Sequence, residues 1–260
     1  MPIARVILWV ASIGGLALLA RSLIIGPVPL WLAATAMTAY ATYATLGVLF
    51  PHLEMYGDVV WKLEPGQKVV ALTFDDGPHP VTTRAILETL ARGSHKATFF
   101  VVGHKVDRHP EVVREIVEAG HGVAIHGYEH ERLYAFKPPT RVLADIRRCQ
   151  EALERACGKR PVLFRPPIGH VSSRTAVGAR RAGVSIVGWT VRGYDGSSQA
   201  SAERVRARVL AGLADGAIIL LHDTAERDEF EPASLAALPG IIEALDARGL
   251  RSERLEFLES

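Results

Sequence analysis

Hydrophobic positions fall into two regimes along the chain. From Val6 to Ile25 the sequence is apolar with one charge, Arg21, close enough to the end to snorkel. Gly26-Pro27-Val28-Pro29 breaks this run, and an uncharged apolar stretch follows from Leu30 to Phe50, with Trp31 near one end. Each run has the length a helix needs to cross the hydrocarbon core of a bilayer. Residues 1–50 therefore read as two transmembrane helices, about 6–25 and 30–50, joined as a hairpin. A cleaved signal peptide fits poorly: no small-residue cleavage site leads into polar sequence, and a second apolar run comes next. A buried core hairpin is the other reading, set against so few polar groups over this length. The hairpin puts the N-terminus and the rest of the chain on one side, and its apolar residues against membrane lipid. Arg5 and Lys62 flank it outside while Arg21 lies nearer the turn, so the positive-inside rule leans towards the cytoplasmic face.

After a juxtamembrane linker, residues 51–68, the pattern changes period. Short apolar runs rich in β-formers alternate with amphipathic helical runs. The strands predicted are Val69–Phe74, Ala97–Val102, Gly122–His126, Val162–Arg165, Val184–Trp189, Ala217–His222 and Arg254–Leu258. Helices are predicted at Val81–Arg92, Pro110–Gly120, Thr140–Cys157, Ser173–Ala182, Ala202–Ala214 and Ser234–Arg248. Gly120, Gly158, Gly183 and Gly249 supply C-terminal stops. Strand–helix alternation implies a parallel sheet. The expected fold for residues 69–260 is α/β, an irregular (β/α) barrel of about seven parallel strands, with an open doubly wound sheet as the alternative.

Composition adds little beyond this. Apolar residues make up 48% of the 260, and the excess sits in the first fifty. Arg5 and Arg21 are the only charges there, which leaves 28 basic and 28 acidic residues in balance beyond them. A balanced domain without a basic tract gives no electrostatic basis for binding nucleic acid. Cys149 and Cys157 fall eight apart in one predicted helix, a rise of about 12 Å that no disulfide bridges.

The polar exceptions cluster where strands end. Thr73-Phe74-Asp75-Asp76-Gly77-Pro78 closes the first strand, and His126-Gly127-Tyr128-Glu129-His130 the third. Arg165-Pro166-Pro167-Ile168-Gly169 closes the fourth, Trp189 through Asp195 follows the fifth, and Leu220-Leu221-His222-Asp223 closes the sixth. In a β/α barrel these ends converge on one face. Two adjacent carboxylates at an apolar strand end need a positive partner. A metal can take one and leave the other as a base. Histidines four apart on a helical turn can share one ion, so Asp plus two His makes a three-ligand hydrolytic site with room for water. Each cluster alone has a plainer reading: a turn or cap for Asp-Asp, a solvated helix face for the histidines, a salt bridge for Arg165, a satisfied core histidine for His222. His126-Gly-Tyr-Glu129-His130 also matches an inverted zinc-protease pattern, but Gly127 and the preceding strand oppose the continuous helix that pattern needs.

With these residues in place, the sequence resembles the polysaccharide deacetylases of carbohydrate esterase family 4, the NodB-homology domain. The resemblance runs over about residues 66–260, with the motifs in the family's order, and TFDDGP at 73–78 is its most specific element. It implies metal-dependent hydrolysis of the N-acetyl amide of an amino sugar. Asp75 would be the general base. Asp76, His126 and His130 would hold one divalent metal, with Zn2+ favoured and Co2+ or Mn2+ able to replace it. Arg165 would hold Asp75, and His222, oriented by Asp195, would be the general acid. Pro166, Ile168, Trp189, Arg192 and Leu220 would bind substrate, with backbone near Ile168 at the oxyanion and Leu220 at the acetyl group.

Three departures bear on substrate. Gly127 replaces the usual Ser or Thr, which loosens a supporting hydrogen bond but removes no ligand. Ile168 and Gly169 stand where the arginine motif ends in an aromatic. Arg192-Gly193-Tyr194-Asp195-Gly196 replaces D-x-x-D-W, which makes the pocket more basic. An arginine there suits the phosphate of a lipid-linked sugar. The expected substrate is an N-acetylated, membrane-associated or lipid-linked glycan. The alternatives are peptidoglycan or an exported polysaccharide, a deformylation of a lipid-linked sugar, an inactive glycan-binding module, and a small-molecule amidase.

Overall fold

The computed structural model describes residues 1–226 and 230–255. Two helices open the chain, α1 (Ile3–Ile24) and α2 (Leu30–Leu49). The strands are β1 (Val59–Val60), β2 (Val69–Asp75), β3 (Ala97–Val101), β4 (Gly122–Ile125), β5 (Leu163–Phe164), β6 (Ser185–Val187), β7 (Val191–Arg192), β8 (Ile218–His222) and β9 (Arg251–Ser252). Between them lie α3 (Thr82–Ala91), α4 (Gly103–Arg108), α5 (Pro110–Glu118), α6 (Pro139–Cys157), α7 (Ser173–Ala182), α8 (Ala202–Gly212) and α9 (Ser234–Ala247). Helix ends follow local chemistry. Ser172 and Ser201 cap α7 and α8 by accepting from the N–H groups of Thr175 and Arg204. Gly158 and Gly183, at φ 70° and 72°, end α6 and α7 in the left-handed turn that a Cβ disfavours.

All the strand pairs are parallel, and the sheet runs β1-β6-β5-β4-β3-β2-β8-β7, with β9 beside the start of β2. That order forces curvature. β6 and β7 lie six strand spacings apart, about 29 Å in a flat sheet at about 4.8 Å each. Yet Val187 and Val191 are four Cα steps apart, and four steps of about 3.8 Å reach at most about 15 Å. The sheet must curl to bring its ends together. Gly188 N–H donates to Val60 O at 2.9 Å, Thr190 N–H to Ile218 O at 3.0 Å, and Leu63 N–H to Gly216 O at 2.8 Å across the closing seam. The result is a curled, irregular α/β barrel, and the open doubly wound alternative is excluded.

Strand alternation then divides the core in two. Ala71, Phe100, Ala124, Leu163, Val187 and Ile218 fill the barrel interior. Val70, Leu72, Phe74, Phe99, Val123, Phe164, Ile219 and Leu221 face the helices, where they meet Ile116, Ile146, Leu153 and Ile241. Side chains two positions beyond an interior residue also point inward, and this parity aims the chemistry of the strand ends at the barrel mouth.

Neither N-terminal helix is a core helix. Both are long and apolar enough to cross a membrane, with 0% and 6% of their apolar windows buried. Trp9, Ile13, Leu16, Leu23, Trp31 and Met37 stand exposed. The pair is joined by a hydrogen bond between the hydroxyls of Ser12 and Tyr40 and by Tyr43 donating to Ala4 O. Its open end sits on the α/β domain. Tyr56 Oη donates to Ala44 O at 2.8 Å, Val171 N–H to Val48 O at 3.2 Å, and Arg5 pairs with Asp58 at 2.8 Å.

Several elements differ from expectation. No strand occupies the described part of Arg254–Leu258; the last strand among the described residues is β9, at Arg251–Ser252, and residues 256–258 lie outside them. Ser252 has the reason to pair: its side chain accepts from Leu72 N–H and donates to Lys96 O. The two-residue strands β1 and β7 and the six-residue α4 are too short for hydrophobic periodicity to register.

Candidate active site

Interior parity places Thr73 and Asp75 of β2, Leu220 and His222 of β8, and the residues just after β4 and β5, His126 and Arg165, around one mouth. Register aligns them: Asp75 is level with His222, and Thr73 with Leu220. Arg165 is fully buried. Its Nη1 donates to Asp75 Oδ1 at 2.7 Å and to Thr73 Oγ1 at 2.9 Å, its Nη2 to Gly188 O at 2.9 Å, and its guanidinium lies 4.1 Å from the Phe100 ring centre. Burial lowers the arginine's pKa, and the charge and hydrogen bond of Asp75 counter the drop. One Asp75 oxygen is thus fixed, while the other lies 3.8 Å from His126 Nε2.

Asp76, His126 and His130 offer ligand atoms that all lie within 4.8 Å of one another. Asp76 Oδ1 is 3.4 Å from His126 Nε2 and 3.0 Å from His130 Nε2. His126 Nδ1 donates to Arg165 O at 2.8 Å, which turns its Nε2 lone pair towards the aspartate. Burial pushes the Asp76 carboxyl up, but the adjoining imidazoles of His126 and His130 and the charge of His222 bring it well below the ordinary range. Asp76 Oδ1 and His130 Nδ1 are buried without a hydrogen-bond partner among the described residues. An acidic oxygen facing two imidazole nitrogens in so dry a place fits a divalent cation.

The histidines are not on a helical turn. Residues 126–131 form a loop, in which His130 takes φ 51° and Gly127 φ 80°. α4 holds this loop: Gly103 N–H donates to Gly127 O at 2.9 Å and His104 N–H to Tyr128 O at 3.1 Å. Gly103 is needed here, because a Cβ would meet the Tyr128 ring at 2.4 Å. The support that Gly127 lacks comes from Asp145 on α6, which accepts from Tyr128 N–H and Tyr134 Oη, both at 3.0 Å.

His222 faces this group from β8. Its backbone N–H donates to Asp195 Oδ2 at 2.7 Å and its Nδ1 to Asp195 Oδ1 at 3.0 Å, so one buried carboxylate orients the ring. Burial alone would lower the imidazole, but Asp195, then Asp76 and Asp75, raise it to about 9. Asp223, next along, is pushed up to about 7 by burial, against a hydrogen bond from Thr83.

A cavity of about 260 Å³ joins these groups. Asp75, Asp76, His126, His130, His222, Ile168, Trp189, Arg192 and Leu220 line it. Arg165 and Asp195 sit behind the wall, and buried Pro166 does not reach the cavity. Tyr194, Gly169, Gly196, Ser197 and Glu226 complete the lining; the sequence motifs contain the first three, and Thr73 behind them, without assigning them roles, while Ser197, Glu226 and Asp145 stand outside every motif. Trp189 occupies the space above Gly169, where a Cβ would lie 2.2 Å from its ring. An aromatic wall is therefore supplied from another strand end. Asp76, His130, Ile168 and Tyr194 all line the cavity, and they are four of six described non-glycine residues with positive φ. At about 1–3 kcal/mol each, such strain persists only where surrounding structure over-determines it.

This geometry agrees with the comparisons. The chain matches the polysaccharide deacetylase family over residues 62–187. It is 33% identical to a peptidoglycan-N-acetylglucosamine deacetylase of Bacillus cereus, over 78% of this chain and 94% of that protein. The peptidoglycan-N-acetylglucosamine deacetylase PgdA of Listeria monocytogenes is 39% identical over 60% of this chain, which spans only 32% of that longer relative. Peptidoglycan deacetylase PdaC of Bacillus subtilis superposes with a TM-score of 0.67 at 32% identity, covering 76% and 92% of the two chains. The chain belongs to the polysaccharide deacetylase family.

Proposed function

We propose that the chain hydrolyses the N-acetyl group of an amino sugar in a membrane-associated or lipid-linked glycan, releasing acetate, with one divalent metal, Zn2+, at Asp76, His126 and His130. One observation carries the reading: the three candidate ligands share one cavity with Asp75, braced by Arg165, and His222, braced by Asp195. When bound, the metal supplies Lewis-acid polarisation of the amide carbonyl. The free oxygen of Asp75 takes the proton of an attacking water, and Arg165 keeps the carboxylate facing it. His222 enters protonated at neutral pH and delivers a proton from Nε2 to the departing amine nitrogen, a poor leaving group otherwise. Asp195 holds Nδ1–H so that Nε2 faces the cavity. Leu220 provides an apolar wall for the acetyl methyl. The exposed hairpin α1–α2 supports placing this reaction at a membrane.

A second reading, peptidoglycan as substrate, is favoured by the named relatives. Acetate release from N-acetylglucosamine oligomers, peptidoglycan and a lipid-linked N-acetylated sugar separates the two readings. Replacing Asp75 with Asn should lower kcat on the order of a thousandfold while zinc still binds in a direct titration. Retained turnover would remove Asp75 as the base.

A further inference from the structure

Among the described residues, Arg192 is a cation without an anion. Among the described residues its buried Nε has no hydrogen-bond partner and no carboxylate lies within ion-pair distance of it. It is nonetheless held in place, its guanidinium 5.6 Å from the Trp189 ring centre and 4.9 Å from that of Tyr194. Tyr194 is itself braced by Arg208, whose guanidinium lies 5.3 Å from the ring and donates to Gly193 O. The His170 imidazole is held low first by burial and then by the charge of Arg192. A fixed guanidinium that is left partly desolvated and unpaired is costly unless a ligand supplies the anion.

Arg192 also stands at a junction. Together with Trp189 and Tyr194 it lines both the catalytic cavity and a second cavity of about 130 Å³. The other walls of the second cavity are Leu49, Phe50, Pro51 and His52, the end of α2 and the turn beyond it, with Gly188. Trp189, Arg192 and Tyr194 thus form a wall common to the cavity of the candidate metal site and the one at the apolar end of the hairpin. If α2 spans a bilayer, its end lies at headgroup depth, where the phosphate of a lipid carrier sits.

We propose that Arg192 and the cavity behind it form a subsite for the phosphate and first apolar units of the lipid to which the amino sugar is attached. The inference rests on the reading of the main cavity as a sugar deacetylase site and names what holds the sugar there. Phosphate binds the guanidinium by charge-assisted hydrogen bonds, and the first prenyl-like units pack on Phe50 and Leu49.

Binding, rather than turnover, isolates this subsite. Titration calorimetry on the full metal-free chain in nanodiscs, with geranyl phosphate, inorganic phosphate and geraniol as probes, keeps phosphate from binding a metal. Geranyl phosphate is expected to bind at least tenfold more tightly than inorganic phosphate or geraniol. Arg192→Gln should weaken geranyl phosphate at least tenfold, Arg192→Lys by less, and Phe50→Ser should erase the preference for geranyl over inorganic phosphate. Equal affinity for geranyl and inorganic phosphate, or geranyl phosphate binding indifferent to Arg192→Gln, overturns the subsite. Acetate release measured in parallel tests the deacetylase reading separately. Turnover of a neutral N-acetylated oligomer alongside failed geranyl phosphate binding leaves that reading standing and removes this one.

Discussion

His222 and Asp195 show how one contact sets a working protonation state. Asp195 leads the influences that raise His222 to about 9, so the imidazole is cationic at neutral pH and loses its proton as pH climbs through that value. A general acid must be protonated, so kcat/KM should fall along an alkaline limb. Replacing Asp195 with Asn removes the raising charge, so the limb should move to lower pH in a kcat/KM–pH profile at fixed zinc concentration. The amide also presents a donor to Nδ1, which disfavours the productive tautomer, and a loss of about a hundredfold or more at the optimum is expected. An unmoved limb would assign it to another group. At this scale TFDDGP, the two histidines and His222-Asp223 were legible because buried polar residues interrupt apolar strands. Trp189 above Gly169 and Asp145 under the histidine loop were not, because each acts on residues 17 or more positions away.

Among the elements, β2 carries the most. Its inward face runs from the packed residue Ala71 through Thr73 to Asp75, so core and site share one strand. Thr73 ties three elements: its hydroxyl donates to Ile219 O of β8 at 2.7 Å and accepts from Arg165 after β5 at 2.9 Å. The near-isosteric Thr73→Val keeps the volume and deletes both bonds, leaving a buried guanidinium donor short of an acceptor. A loss of about 1–3 kcal/mol is expected, read as a lower urea midpoint at unchanged slope, with kcat reduced through a looser Asp75. The main helices and strands were readable from period because each is amphipathic or apolar over enough residues. α4 was not, yet its first backbone N–H groups hold the histidine loop, so the site depends on an element whose sequence is too short to announce itself.

At the scale of the whole molecule, the site is assembled from residues 75 to 226 and can be tightened by whatever binds it. A metal held by Asp76, His126 and His130 cross-links β2 to the loop after β4. Ligand bound only to the folded state adds about 2.7 kcal/mol at a hundred times its Kd. Thermal unfolding should therefore shift upward with zinc in a concentration-dependent way and fall back on chelation, and His130→Ala should abolish most of the shift. The hairpin makes a separate prediction. A chain that spans the membrane should stay in the pellet after alkaline carbonate extraction with its N-terminal residues intact, and a reporter fused to the C-terminus should show which side the active site occupies. Recovery of a chain cleaved within residues 1–50 would identify a signal sequence instead.

Sequence alone determined the two apolar runs, the alternation of parallel strands with helices, and the polar clusters at strand ends. All three are local periodicities or local violations of them, written in consecutive residues. Tertiary structure decided closure of the barrel, because strand order and the short step from β6 to β7 belong to no single segment. It decided that Arg165 braces Asp75 across 90 positions, and that His126 and His130 meet Asp76 from a loop rather than a helix. It also placed Arg192 between the catalytic cavity and the end of α2. Each depends on side chains converging through space, and burial there turns ordinary residues into a site by stripping water from charges that then have only one another.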